Sequence, residues 1–172
     1  MTRWVALLRG INVGGSGKMP MARLREIASE IGFTEVQTYI QSGNLVFSAK
    51  GTAEALAARI DAALAETVGH KADAVVRSAA DWKKDMAGNP FPTESATDPG
   101  RVFLVLGRTK PDAGTIEKLR AKATLGERVE PAGDGLWVHY PQGAGKSKIG
   151  SFAGATARNW RTVQAIDAML AG

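Results

Sequence analysis

Cysteine is absent from the 172-residue chain. That excludes disulfides, thiolate metal sites and a cysteine nucleophile. Histidine is scarce: His70 and His139 are the only two, far apart and without ligand spacing to a carboxylate. No metal centre and no cofactor are expected. Long apolar runs are missing as well. The first, Trp4 to Leu8, is five residues with no cleavage-type region after it, so it does not read as a signal peptide. No stretch approaches the length needed to cross a bilayer. The expectation is a soluble cytoplasmic protein without a membrane partner.

The composition is otherwise ordinary. With 44% hydrophobic and 23% charged residues the chain can bury a proper core. The net charge is +5, but it is unevenly distributed. Residues 1–25 carry Arg3, Arg9, Lys18, Arg23 and Arg25 with no acid, and residues 141–161 carry Lys146, Lys148, Arg158 and Arg161, again with none. These nine positive charges leave the remainder net acidic. Basic character gathered in two segments is what an anion-binding surface needs, although lysine and arginine also serve merely to solvate loops and helix faces.

The chain is organised around its first twenty residues. Trp4–Leu8 reads as a buried strand, Gly14, Gly15 and Gly17 as a loop that can approach a ligand, and Pro20 as the first residue of a helix. Strand, glycine loop and helix N-terminus together can present backbone N–H groups to an anion. From there Met21, Leu24, Ile27, Ala28 and Ile31 recur at helical spacing, with Gly32 where a glycine cap belongs. Glu35–Ile40 and Leu45–Phe47 read as strands joined through Gln41-Ser-Gly-Asn44. An alanine-rich helix runs from Thr52 to Val68, then a strand from Asp73 to Arg77. Strand, helix, strand, strand, helix, strand is the ferredoxin-like split βαβ order.

A short helix over Ser78–Met86 ends at Gly88-Asn-Pro-Phe-Pro92, and residues 88–100 read as a linker between an N-terminal half, 1–87, and a C-terminal α+β half, 101–172. The latter begins with an apolar strand, Arg101–Leu106, and a helix, Pro111–Ala123. A hairpin follows, Arg128–Glu130 with Leu136–Tyr140, then a glycine-rich basic stretch. The closing helix is expected from Ala157 to Leu170, with Trp160, Val163, Ile166 and Leu170 as its buried stripe and Arg158, Arg161 and Thr162 facing elsewhere. The fold class predicted is α+β: two ferredoxin-like halves with antiparallel sheets and helices packed on them.

The motifs that carry chemistry mostly fail. Gly145-Lys-Ser147 ends like a phosphate-binding P-loop, but the first glycine it requires falls at Tyr140; Gly17-Lys18 has Asn12 at that position and Met19 where a hydroxyl should hold magnesium. Neither glycine cluster has dinucleotide-binding spacing. No serine has an evident base partner and no carboxylate pair stands out, so catalysis is not visible and catalytic residues stay unassigned. His139 alternates with Val138 and Tyr140 and reads as solvent-facing. A looser anion site survives: Arg9 offers a planar fork of donors, Lys18 a point charge and the glycine loop its N–H groups, set against the plainer reading that the glycines only let the chain turn.

Arg3-Trp-Val-Ala-Leu-Leu-Arg-Gly-Ile-Asn-Val-Gly-Gly15, Met21, Leu24, Gly32-Phe33 and Val36-Gln-Thr-Tyr-Ile-Gln-Ser-Gly-Asn-Leu-Val-Phe47 closely resemble a bacterial family, the domain of unknown function 1697. Lys146-Ser-Lys-Ile149 and Thr156-Ala-Arg-Asn-Trp-Arg-Thr-Val163 are similar to its C-terminal pattern. The resemblance implies an α+β fold with two ferredoxin-like halves and no established activity. It also implies that Arg9, Asn12, Gln41, Ser42, Asn44, Thr156, Arg158, Asn159 and Thr162 are the family's characteristic polar positions. Arg161 stands where the family pattern often has asparagine.

The functional expectation is a module binding an anionic ligand, either a phosphate-bearing metabolite or nucleic acid. Its candidate residues are Arg9, Asn12, Gly14, Gly15, Lys18, Gln41, Ser42, Asn44, Lys146, Arg158 and Asn159. A small enzyme acting on a phosphorylated or carboxylated metabolite, and a structural or interaction protein without a ligand, are the alternatives. Should the two basic segments serve one ligand, Arg9 and Arg158 converge on one cleft. Single-stranded RNA stacked on an open sheet is disfavoured, because both faces of Trp4–Leu8 are apolar and so covered.

Overall fold

The computed structural model describes residues 1–11, 19–40 and 43–172. By compactness the chain divides into two units, Met1–Trp82 with Ala165–Gly172, and Lys83–Gln164.

The first unit runs β1 (Thr2–Leu7), α1 (Met21–Glu30), β2 (Thr34–Tyr39), β3 (Asn44–Ala49), α2 (Ala53–Val68) and β4 (Val75–Ser78), followed by α3 (Ala79–Ala87), which begins in this unit. Its sheet is antiparallel, in the order β2-β3-β1-β4, as the split βαβ arrangement requires. The central strand β1 alternates between two covered faces. Trp4, Ala6 and Leu8 join Leu45 and Phe47 in a core closed by Leu24 and Ile27 of α1 and by Leu56, Ile60 and Leu64 of α2. Val5 and Leu7 turn to the opposite face and are equally buried, with Val46 beside Val5. The Trp4 indole N–H donates to the Ala49 carbonyl at 3.1 Å, so this tryptophan is no exposed stacking platform.

The helix ends are chemically legible. Pro20 proves to be the residue just before α1 rather than its first member, and its carbonyl accepts from the Arg23 and Leu24 N–H groups at 3.0 and 3.2 Å. At the far end Gly32 takes φ +91°, the Gly32 N–H reaches the Ser29 carbonyl and the Phe33 N–H that of Ala28, the paired bonds of a Schellman cap. Thr52 caps α2 by accepting from the Ala55 N–H at 3.2 Å.

The second unit takes over within α3 and continues with α4 (Pro92–Thr97), a 3₁₀ turn (Pro99–Arg101), β5 (Val102–Leu106), α5 (Ala113–Ala121), β6 (Arg128–Ala132) and β7 (Gly135–His139). A second 3₁₀ turn (Ala144–Lys146), β8 (Thr156–Asn159) and the start of α6 (Trp160–Ala171) complete it. Its antiparallel sheet is β6-β7-β5-β8, the same order as the first. Gly135 starts β7 where any Cβ would come within 2.6 Å of the Val105 carbonyl oxygen and Leu106 Cδ2.

Here the structure corrects the sequence reading of the C-terminal region. Residues 156–159 are not the first turn of the closing helix but a strand laid against β5, pairing Leu106 with Thr156 and Phe103 with Asn159. Four residues hold too few alternations to announce a strand, and pairing with β5 overrides local preference. Arg158 and Thr162 consequently face inward and are buried, while Trp160 is only half-buried, its ring 5.6 Å from that of Trp137. His139 is half-buried too, packed 5.9 Å from the Phe91 ring, rather than facing solvent.

Candidate functional site

One end of the first sheet gathers polar residues from distant parts of the chain. Leu7 pairs with Asn44 on one side and with Val75 on the other. Beyond the ladder the Leu8 N–H donates to the Gly43 carbonyl at 2.9 Å and the Arg9 N–H to that of Ala72 at 3.0 Å. Arg9 is thereby held between the β2–β3 turn and the segment that leads into β4. Its guanidinium lies 3.2 Å from Asp73 Oδ2, in a pair whose side chains keep 35% and 40% of their exposure. The Ala74 N–H, bonded at 2.9 Å to Asp61 of α2, anchors the segment carrying Asp73.

His70 completes the cluster. Gly69, at φ +67°, ends α2, and the His70 N–H turns back to the Leu64 carbonyl. The imidazole Nε2 lies 3.2 Å from the Arg9 carbonyl oxygen. A carbonyl only accepts, so Nε2 carries the proton in this hydrogen bond. Two non-glycine residues at this end adopt left-handed backbone, Asp73 at φ +44° and Ile40 at φ +49°. For a β-branched residue such as Ile40 that conformation is strained.

Gly43 and Asn44, which meet the end of β1, are closely enclosed. Gly43 has φ +82°, and a Cβ there would lie 3.0 Å from Leu8 Cβ and closer still to Ile11 Cγ2. Asn44 is fully buried and donates from Nδ2 to the Tyr39 carbonyl at 3.0 Å, closing the turn. Of the residues singled out by sequence, Arg9 and Asn44 therefore meet at this sheet end. Asn12, Gly14, Gly15, Lys18, Gln41 and Ser42 lie outside the described residues, as does the backbone N–H array expected of the glycine loop.

Lys146, Arg158 and Asn159 belong to the second unit. Arg158, 8% exposed, donates to Thr156 Oγ1 at 2.6 Å and to the Ala157 carbonyl at 2.9 Å. Burial pushes its guanidinium down to about 10, well below the ordinary arginine value. Arginine still stays protonated at any working pH, so the cost of burying it is carried as energy rather than as a lost proton. Asn159 caps α6, its Oδ1 accepting from the Thr162 N–H at 3.0 Å. Lys146, at the end of the second 3₁₀ turn, and Lys148 are exposed on either side of Ser147, whose hydroxyl donates to Glu127 at 2.8 Å. Burial alone would raise the Glu127 carboxyl, but the Ser147 hydroxyl and nearby backbone N–H donors hold it below its usual value.

Folding also dilutes the N-terminal basic segment. Arg3 donates to Ser48, Gln37 and the Met169 carbonyl and lies 3.9 Å from Glu35, while Arg23 pairs with Glu26 and Glu30. Sequence reasoning missed His70 and Asp73 because their contacts with Arg9 span 61 and 64 residues. Among the described residues no group of acids and histidines is placed to hold a metal ion, and no helix is long and apolar enough to cross a membrane.

Residues 1–137 match the family model described as "Protein of unknown function (DUF1697)". No curated protein matches the sequence. Among solved structures, a conserved bacterial protein from Streptococcus pneumoniae is similar over 98% of both chains, with a TM-score of 0.77 at 24% sequence identity. That likeness concerns the fold.

Proposed function

The chain belongs to the DUF1697 family, whose description assigns no activity, and we propose from the geometry that it binds a small oxyanion-bearing ligand at the Arg9 end of the first sheet. One observation carries this reading: a half-exposed arginine fork sits at the meeting point of three chain segments, paired with Asp73, whose backbone is left-handed, at a sheet end that also holds strained backbone at Ile40. Strain of this kind persists only where surrounding structure enforces it, and it gathers at ligand sites. Guanidinium suits a planar, bidentate grip on phosphate or carboxylate. Asn44 is a further candidate on this end, and Asn12, Gly14, Gly15, Lys18, Gln41 and Ser42 are candidates by sequence alone; Lys146, Arg158 and Asn159 form a second set in the other unit. The burial of Trp4 favours a small ligand over single-stranded nucleic acid stacked on the sheet.

The experiment is calorimetry with inorganic phosphate, beside thermal melts of the same variants. Arg9→Ala should weaken phosphate binding by roughly 1.5–3 kcal/mol, the worth of a charge-assisted hydrogen bond. It should change stability by less than about 1 kcal/mol, because the Asp73 pair is exposed. A clear loss of melting temperature with phosphate binding unmoved would sink the reading and leave Arg9 a structural residue.

A further inference from the structure

The Arg9 end carries hydrogen-bond acceptors that a purely electrostatic anion site has no use for. His70 commits its Nε2 proton to the Arg9 carbonyl. In the neutral form of the ring that leaves Nδ1 as a bare lone pair. Nδ1 has no hydrogen-bond partner among the described residues, and neither has the second oxygen of the Asp73 carboxylate. Both residues leave α2 within four positions of each other, and both touch Arg9, one at its backbone and one at its guanidinium.

Resting on the anion reading above, we propose that this site selects oxyanions that also carry an O–H donor, and that His70 is the residue that selects them. The guanidinium takes the charged oxygens, and the ligand's own hydroxyl donates to His70 Nδ1. Hydrogen phosphate and hydroxylated organic anions fit this description. Sulfate, with no proton to give, does not: it sets against the imidazole lone pair an oxygen that only repels it. No bond is made or broken in this step; the proton stays shared between the ligand oxygen and Nδ1.

Inorganic phosphate and sulfate make the test, compared by calorimetry at about pH 8, where free imidazole is neutral. Both are then mainly dianions and differ by one proton. Phosphate should bind roughly tenfold tighter than sulfate, as one added hydrogen bond predicts. In His70→Phe the preference should collapse, whereas His70→Asn, whose amide oxygen can accept near the Nδ1 position, should keep much of it. Nitrogen NMR of the ring should show the Nε2–H tautomer, a readout that needs no ligand and no variant. Equal affinity for the two anions, a preference undiminished in His70→Phe, or an Nδ1–H tautomer each overturns the inference. Should both anions bind equally and Arg9→Ala weaken both, the anion reading stands and only the role of His70 falls. Should neither bind, both fall together.

Discussion

The two sheets share one strand order but join their third and fourth strands differently. In the first, α2 spans sixteen residues and lays Leu56, Ala57, Ile60, Ala63 and Leu64 into the core. In the second, the corresponding link from β7 to β8 is coil with one 3₁₀ turn, and it buries Ile149 and Ala155 and half-buries Phe152 against Val105, Leu136 and Val138. The sheet face needs apolar cover more than it needs a helix. A helix supplies it by periodicity; the coil does so with a few anchors spaced by glycine and lysine. The coil's own backbone is then tied down by side chains, Ser147 to Glu127 and the Ile149 N–H to the Ser147 hydroxyl.

The comparison breaks most visibly at its anchors. Leu56→Ala and Ile149→Ala each empty a site at most 1% exposed, and each should cost about 2–5 kcal/mol in denaturant unfolding. A loss at Ile149 well under 1 kcal/mol would show that the coil merely rests on the sheet. Next come the close approaches. Gly43→Ala in the first unit and Gly135→Ala in the second should each cost roughly 1–3 kcal/mol by overpacking, with Gly43 bearing an added backbone penalty at φ +82°. Smaller still are the caps: Thr52→Ala on α2 and Asn159→Ala on α6 should each lower stability by about 1 kcal/mol. For Asn159 the same variant leaves anion affinity unmoved if capping is its whole task.

The smallest effect is acid sensitivity in the second unit. Glu94 is held below its usual range by its own backbone N–H and by Arg128, Asp112 by the Thr115 N–H and hydroxyl, and Glu127 against its burial by Ser147. A depressed carboxyl stabilises above its unfolded value and loses that contribution as pH falls through the folded one. His139 acts at milder pH. Burial, then Arg128, lowers it below 6.5, so the fold favours the neutral ring. Stability from this group is complete above about pH 6.5 and declines as pH falls toward the folded value, because the unfolded chain takes up the proton first. An NMR titration of His139 should give a midpoint under 6.5, and His139→Phe should flatten the melting temperature over that interval. A midpoint at or above 6.5 removes the effect.

Much of the fold is written locally. The strand at Trp4–Leu8, the α1 and α2 periodicities, Gly32 as a cap and the order of the first sheet all follow from apolar spacing and turn residues, because their determinants lie within a few residues of one another. What local pattern cannot carry is long-range. Strand β8 exists because β5 has an open edge, and the load borne by Ile149 is invisible in a stretch that reads as flexible glycine-rich coil. The candidate site divides the same way. Arg9 and Asn44 are conspicuous by type and position, whereas His70 and Asp73 gain meaning only when α2 returns them to the end of β1. The N-terminal basic segment, prominent in one dimension, is answered in three by acids drawn from elsewhere, Glu35 to Arg3 and Asp73 to Arg9.

The last stretch of α6 has a consequence in time. Ala165–Gly172 clusters with the first sheet, and the Met169 carbonyl receives the Arg3 guanidinium at 3.0 Å. The ribosome makes those residues only after the whole of 83–164. The unit begun first is therefore finished last: its first eighty-two residues wait for a segment synthesised only after the second unit.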